Sequence, residues 1–158
     1  MKKSIGILVL LILACCLLSS CNTVHYDRNE LLNTVSEIKL VDCGNTAYDK
    51  EVDSNRINLN DVKVLYKLPG DQLESFIDKF SNIKVSTGQL FAPTENEPNG
   101  VCLVLMYKDG NCEILSLNGC VAKLEKDSTS PNSVGWLNAK NLSLLSDVVI
   151  EYFVADVQ

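Results

Sequence analysis

The chain has 158 residues, enough for one ordinary domain whose core needs no metal or disulfide staple. That length is too short for a two-lobed solute-binding protein with a cleft between domains. Its 20 acidic against 14 basic residues give a net charge of −6, which disfavours nucleic acid as a partner and offers no polybasic help at a membrane surface.

Lys2 and Lys3 form a positive n-region, Ile5 to Leu18 an apolar h-region, and Ser19-Ser20 a small-residue cleavage point, the three parts of a secretory signal. A transmembrane helix needs about 20 consecutive apolar residues, and this run is shorter and ends in Ser-Ser-Cys-Asn. The sequence Leu18-Ser19-Ser20-Cys21 resembles the lipobox of bacterial lipoproteins. The resemblance implies a diacylglycerol thioether at Cys21, cleavage before it by the lipoprotein signal peptidase, and often acylation of the new amine. Palmitate-type chains on Cys21 would then hold the protein to the cell membrane, with its domain on the extracytoplasmic side. A second candidate, Ile12-Leu13-Ala14-Cys15, would strand Cys16-Leu17-Leu18 on the mature end and shorten the h-region severely. Asn22 follows Cys21, so no Asp of the kind that retains lipoproteins at an inner membrane stands there.

Cleavage would leave 138 residues and, with Lys2 and Lys3 gone, a net −8. The lipid would therefore do the anchoring, and two acyl chains suffice for that where one does not. The expected organisation is a signal peptide over 1–20, a lipidated tether over 21–33 and a globular domain over 34–158.

Within the domain a first strand is expected over Thr34 to Asp42, then an Asn- and Asp-rich loop from Gly44 to Asp61. A second strand is expected over Val62 to Leu68, ended by Pro69-Gly70. Leu73, Phe76, Ile77 and Phe80 fall at i, i+3, i+4, i+7 and predict an amphipathic helix. Pro69 and Asp71 suit its start. Pro93, Pro98 and Gly100 make Ser86 to Gly100 a loop.

Val101 to Tyr107 is apolar throughout, as a central strand covered on both faces should be. Asp109-Gly110 and Asn118-Gly119 are favoured two-residue hairpin turns. Two-residue loops would set Cys102 opposite Leu117 and Leu117 opposite Cys120. One core face would then hold Cys102, Val104, Met106, Leu115, Leu117, Cys120, Ala122 and Leu124, with Glu113 its one polar member and Cys112 on the opposite face. A short strand over Ser133 to Leu137 and a helix with Leu142, Leu145, Val149 and Tyr152 as its stripe would close the chain, Asn138 or Asn141 capping. The fold class is α+β: an antiparallel β-meander with two amphipathic helices packed against it, in a single small domain.

Beyond Cys21 the mature chain has Cys43, Cys102, Cys112 and Cys120. An even count in an exported protein invites two disulfides, with three connectivities. On the two-residue register, however, Cys102 and Cys120 lie two strands apart, about 9–10 Å and beyond disulfide reach. These cysteines read as packed hydrophobes rather than nucleophiles. His25, the single histidine, falls in the expected tether and gives a catalytic triad no frame.

Asp49, Glu51, Asp53 and Asn55 place oxygens at alternate positions, as the start of a calcium loop does. Ser54 stands where that loop needs Gly and Asn60 where it needs Glu, so a solvated acidic loop is the expectation. Leu90-Phe91 either presents an anchor to a partner or folds back over the open end of the sheet, and the second is preferred. No catalytic, cofactor or metal residue is assigned. The leading expectation is a lipid-anchored, non-enzymatic protein- or peptide-binding module at the outer face of the membrane. The alternatives are a small-ligand carrier with an apolar cavity and a small surface hydrolase using carboxylates.

Overall fold

A computed structural model describes residues 22–44, 59, 62–87, 98–128 and 131–154. Its described strands are β1 (Asn22–His25), β2 (Val35–Asp42), β3 (Lys63–Lys67), β4 (Lys84–Thr87), β5 (Val101–Tyr107), β6 (Cys112–Ser116), β7 (Cys120–Leu124) and β8 (Asn132–Trp136). Among the described residues three α-helices accompany them: α1 (Arg28–Thr34), α2 (Leu73–Phe80), entered through a 3-10 turn at Gly70–Gln72, and α3 (Ala139–Phe153). The class is α+β, a single small domain built on one eight-stranded sheet with the order β1-β4-β8-β7-β6-β5-β2-β3. Every neighbouring pair is antiparallel.

Within the expected tether over 21–33, residues 22–33 are folded into a strand and most of a helix. β1 pairs with β4, Asn22 opposite Thr87 and His25 opposite Lys84, so His25 stands in a strand rather than in loose chain. Asp27 then caps α1 by accepting the Glu30 amide at 2.8 Å, a strong N-terminal signal because the carboxylate satisfies an orphan donor. The helix passes into β2 with no loop, the Val35 amide bonding Leu31 O. The expected loop after Ser86 likewise begins later, since β4 runs to Thr87.

Both hairpins depart from the expected register by one residue, for a common reason. A two-residue type I′ turn needs positive φ at both central positions. Only the glycines supply it, Gly110 at φ 92° and Gly119 at φ 98°, and Asp109 and Asn118 keep negative φ. Each loop therefore takes a third residue, Lys108 in one and Leu117 in the other. The Gly110 amide bonds Tyr107 O at 3.0 Å and the Gly119 amide bonds Ser116 O at 2.9 Å. Asp109 Oδ1 accepts the Asn111 amide at 2.9 Å, and Asn118 Oδ1 accepts the Cys120 amide at 3.1 Å. These are Asx turns, in which a side chain bonds the backbone two residues on.

The slip re-sorts the faces. Cys102 now lies opposite Ser116, Met106 opposite Cys112, Leu105 opposite Glu113 and Ile114 opposite Ala122. Cys112 therefore joins Cys102 and Cys120 on one face, correcting its expected place, while Glu113 and Leu115 turn to the other with Leu103, Leu105 and Val121. That second face shares the main core with Phe76, Ile77 and Phe80 of α2 and Leu145, Val149 and Phe153 of α3. The cysteine face forms a separate buried cluster with Val41, Val104, Ile114 and Leu124. Both faces are apolar because β5 and β6 are covered on both sides, which matches the unbroken apolar run of β5.

Asn138 Oδ1 accepts the Asn141 amide at 3.0 Å and caps α3, while Asn141 Oδ1 accepts the Lys84 amide at 3.0 Å. One buried asparagine thus ties the last helix to β4. Among the described residues no helix is long and apolar enough to cross a membrane.

Candidate functional site

The sequence Cys112-Glu113-Ile114-Leu115-Ser116 places one acid in a strand whose five residues are all buried. Glu113 is 4% exposed, and a carboxylate at that depth needs donors. Two phenols supply them. Tyr26 donates from the β1–α1 junction to Oε1, and Tyr107 donates from the end of β5 to Oε2 at 3.1 Å. The Tyr26 ring also packs on Phe80 with centroids 4.7 Å apart, which fixes the phenol from the helix side. Burial first, and then the Glu113 charge, hold both phenols well above the ordinary tyrosine range. Both stay protonated and act as donors.

Above this trio lies a cleft of about 730 Å³, walled by β1, α1, the β5–β6 hairpin and parts of β4, β7 and β8. Its volume falls in the range of about 300–1,000 Å³ usual for small-molecule sites. Leu31, Val85 and Val134 give it apolar walls, and His25, Asn111 and Asn132 lie among its polar lining residues. Lys123 stands directly across from Glu113 in the β6–β7 ladder, yet its side chain is exposed. The described ion pairs, Arg28 with Glu74 and Asp78, Glu37 with Lys39 and Lys67, and Lys79 with Glu151, do not include Glu113.

On the other face Cys43, Cys102, Cys112 and Cys120 are buried thiols rather than halves of disulfides. Cys102 Sγ donates toward the Asn99 and Gly100 carbonyls, 3.6 Å from each, and its contact with the Cys43 thiol lowers the latter. The same contact, together with burial, raises that of Cys102. Burial pushes the Cys112 thiol up to about 11, which makes it a poor nucleophile at neutral pH. His25 and Cys112 both border the cleft, but the Cys112 side chain lies on the face of β6 opposite Glu113, with Cys102 and Cys120. No group of three or more His, Cys, Asp or Glu suited to a metal ion occurs among the described residues.

Cys21, the run Asp49, Glu51, Asp53 and Asn55, and Leu90-Phe91 lie outside the described residues. The site that the structure assembles differs from anything assigned in the sequence. Glu113 stood out there as the single acid of an apolar face, but Tyr26 sat in a stretch read as tether. The spacing Asp27-x-x-Glu30 before Leu31-Leu32 carried the missing signal for α1, an acidic cap followed three residues later by Glu.

Comparison of the chain with protein-family models, with curated proteins and with solved structures finds no match.

Proposed function

We propose that the protein is a lipid-anchored, non-enzymatic binding module at the outer face of the membrane, and that the cleft over Glu113 is where it binds a peptide or small molecule. The observation carrying the second half is the pairing of that cleft with a buried carboxylate held by two phenols. Both Glu113 oxygens accept hydrogen bonds, which makes the group a fixed acceptor rather than a mobile base. The antiparallel strands β5 to β8 act in this reading as a meander that presents the site, with the amphipathic faces of α2 and α3 packed behind it. An apolar carrier cavity between helices and sheet is not favoured, because Phe76, Ile77, Phe80 and Leu145 fill that space with no exposed surface.

The anchor half rests on Leu18-Ser19-Ser20-Cys21, and the place of β1 gives it a geometric consequence. β1 begins at Asn22, one residue beyond the lipidated cysteine, so the anchor would hold the Asn22–Thr87 end of the sheet at the bilayer. A four-residue strand spans about 13 Å. Val24 and Thr87, at or beside that end, line the cleft as well, so the anchor would hold the cleft close to the membrane.

Metabolic labelling with palmitate tests the anchor. Wild type is expected to take up label and Cys21→Ala to lose it together with signal-peptide processing. Labelling of Cys21→Ala at the wild-type level would move the anchor elsewhere, with Cys15 first in line. Pull-down from intact cells tests the cleft. A partner captured by wild type and lost with Glu113→Gln supports it, and equal capture by both places binding on another surface.

A further inference from the structure

A buried carboxylate ordinarily has a cation beside it, because an isolated charge taken out of water costs more than bonds to neutral groups return. Glu113 departs from that pattern. It is 4% exposed and accepts from two neutral phenols, with no lysine or arginine in ion-pair contact among the described residues. Lys108, at the same end, spends its ammonium on Asn33 O at 2.6 Å. Lys123 is the cross-strand neighbour of Glu113 and lines the same cleft, but it is exposed and makes no ion pair with Glu113 among those described. Glu113, Tyr26 and Tyr107 all line the cleft.

We propose that the cleft takes a primary ammonium group on an alkyl chain, seated against Glu113, Tyr26 and Tyr107. This deepens the reading of the cleft as a binding site and rests on it. The donor count matches. An alkylammonium has three N–H donors and no acceptor, while a phenol oxygen that donates its proton still accepts. One carboxylate oxygen and two phenol oxygens therefore offer three acceptors to three donors, and the tyrosine rings add faces that attract a cation. Leu31, Val85 and Val134 supply apolar wall for the alkyl chain. The remaining charges lining the cleft favour the same sign of ligand, with Asp27, Glu30, Asp109 and Glu125 against Lys108 and Lys123. A guanidinium, whose donors form a planar fork, fits a bare carboxylate better than one already capped on both oxygens.

The test uses the full-length protein in dodecyl maltoside micelles and follows amide shifts of Tyr26, Asp27 and Tyr107 to Glu113 by NMR. Butylammonium is expected to give saturable shifts, and neutral butanol none. Butyltrimethylammonium, which carries the charge without donors, and butylguanidinium should each bind at least about tenfold more weakly, the loss of a charge-assisted hydrogen bond. Cadaverine and an Nα-acetyl-lysine methylamide separate a free amine from a lysine side chain as the source. Glu113→Gln should weaken butylammonium about 10- to 100-fold. Should that variant fail to fold, Tyr107→Phe keeps the ring, removes one acceptor, and should weaken binding about 2- to 10-fold.

Equal shifts with butanol, or unchanged affinity in these variants, would overturn the assignment. Saturation seen only in Lys123→Met would make Lys123 the native counter-ion and overturn it as well. If no amine binds while the partner pull-down still depends on Glu113, the ammonium falls and the cleft reading stands.

Discussion

The hydroxyl of Tyr26 donates to Oε1 of Glu113 across 87 residues of chain, joining the first strand–helix junction to the middle of the sheet. Tyr26→Phe keeps the ring against Phe80 and removes only the donor. A buried acceptor left without its partner costs about 1–3 kcal/mol, and chemical denaturation of the variant should show a loss of that size. A loss within about 0.5 kcal/mol, the range of unconnected surface changes, would mean that water reaches Glu113 as easily as the phenol does.

The same trio sets an alkaline limit on stability. Tyr26 and Tyr107 have folded-state pKa values raised above the ordinary 10.0, by burial first and then by Glu113. A group raised on folding contributes stability that is fully present below its unfolded pKa and is lost as pH climbs toward the folded one. Stability should therefore fall above pH 10, as the unfolded chain ionises phenols that the folded one keeps neutral. Tyrosinate absorbance compared between wild type and the Tyr26→Phe/Tyr107→Phe variant isolates these two groups. Ionisation of that component at the ordinary tyrosine pKa, with the fold intact, would contradict the buried trio.

Phe76 has no exposed surface and stacks on Phe80 with centroids 5.7 Å apart. It also meets Tyr152 and Phe153 of α3 edge-on. Phe76→Ala should destabilise by about 3–5 kcal/mol, the usual cost of emptying a buried Phe site. A loss below about 1 kcal/mol in urea denaturation would be a surface value and would remove α2 from the core.

How far the sequence disclosed this arrangement depends on the range of the interaction concerned. The Leu73, Phe76, Ile77, Phe80 stripe located α2 because helix burial has a short period, and the candidate caps Asn138 and Asn141 marked the start of α3 to within a turn because a cap is local, Asn138 being the one used. Asp109-Gly110 and Asn118-Gly119 marked both turns but not their length. Length was decided by Asp109 and Asn118 accepting amides two residues on, and one residue of difference reversed the face of Cys112 and Glu113. The Tyr26–Glu113 bond and the docking of β4 beside β8 have no local signature, so the candidate site itself was legible only as one odd acid in an apolar strand.

β4 meets β8 through the single register pair Ser86–Trp136, next to Gly135. A Cβ built at Gly135 would lie 2.5 Å from Ser86 O and 2.6 Å from Val85 Cγ1, distances that require the backbone to move. Gly135→Ala should cost about 1–3 kcal/mol, as overpacking does. The accompanying amide exchange should quicken in β1 and β4, which hang on this contact, before it does in β5 to β7. Uniform exchange with no loss of stability would show that β4 and β8 are not so closely apposed.

The cysteines provide the last expectation. Cys102, Ser116 and Cys120 form a row across β5, β6 and β7, the 3-residue loop at Leu117–Gly119 setting Ser116 against Cys120. The outer two are two strand spacings apart, about 9–10 Å, where a disulfide bridges Cα atoms no more than about 7 Å apart. Cys112 shares their face but sits opposite Met106, at the far end of β5 from Cys102. Cys43 differs. Its amide bonds Gly100 O at 2.8 Å, and contact with the Cys102 thiol lowers its own. A non-reduced digest of the native protein should therefore contain no bridge among Cys102, Cys112 and Cys120, and the fold should survive reduction. Treatment with a small disulfide oxidant should close Cys43 to Cys102 first, because thiol–disulfide exchange needs an acidic thiol within reach of its partner. A stoichiometric Cys102–Cys120 peptide would require the sheet to have a different register from the one that places Glu113 under the cleft.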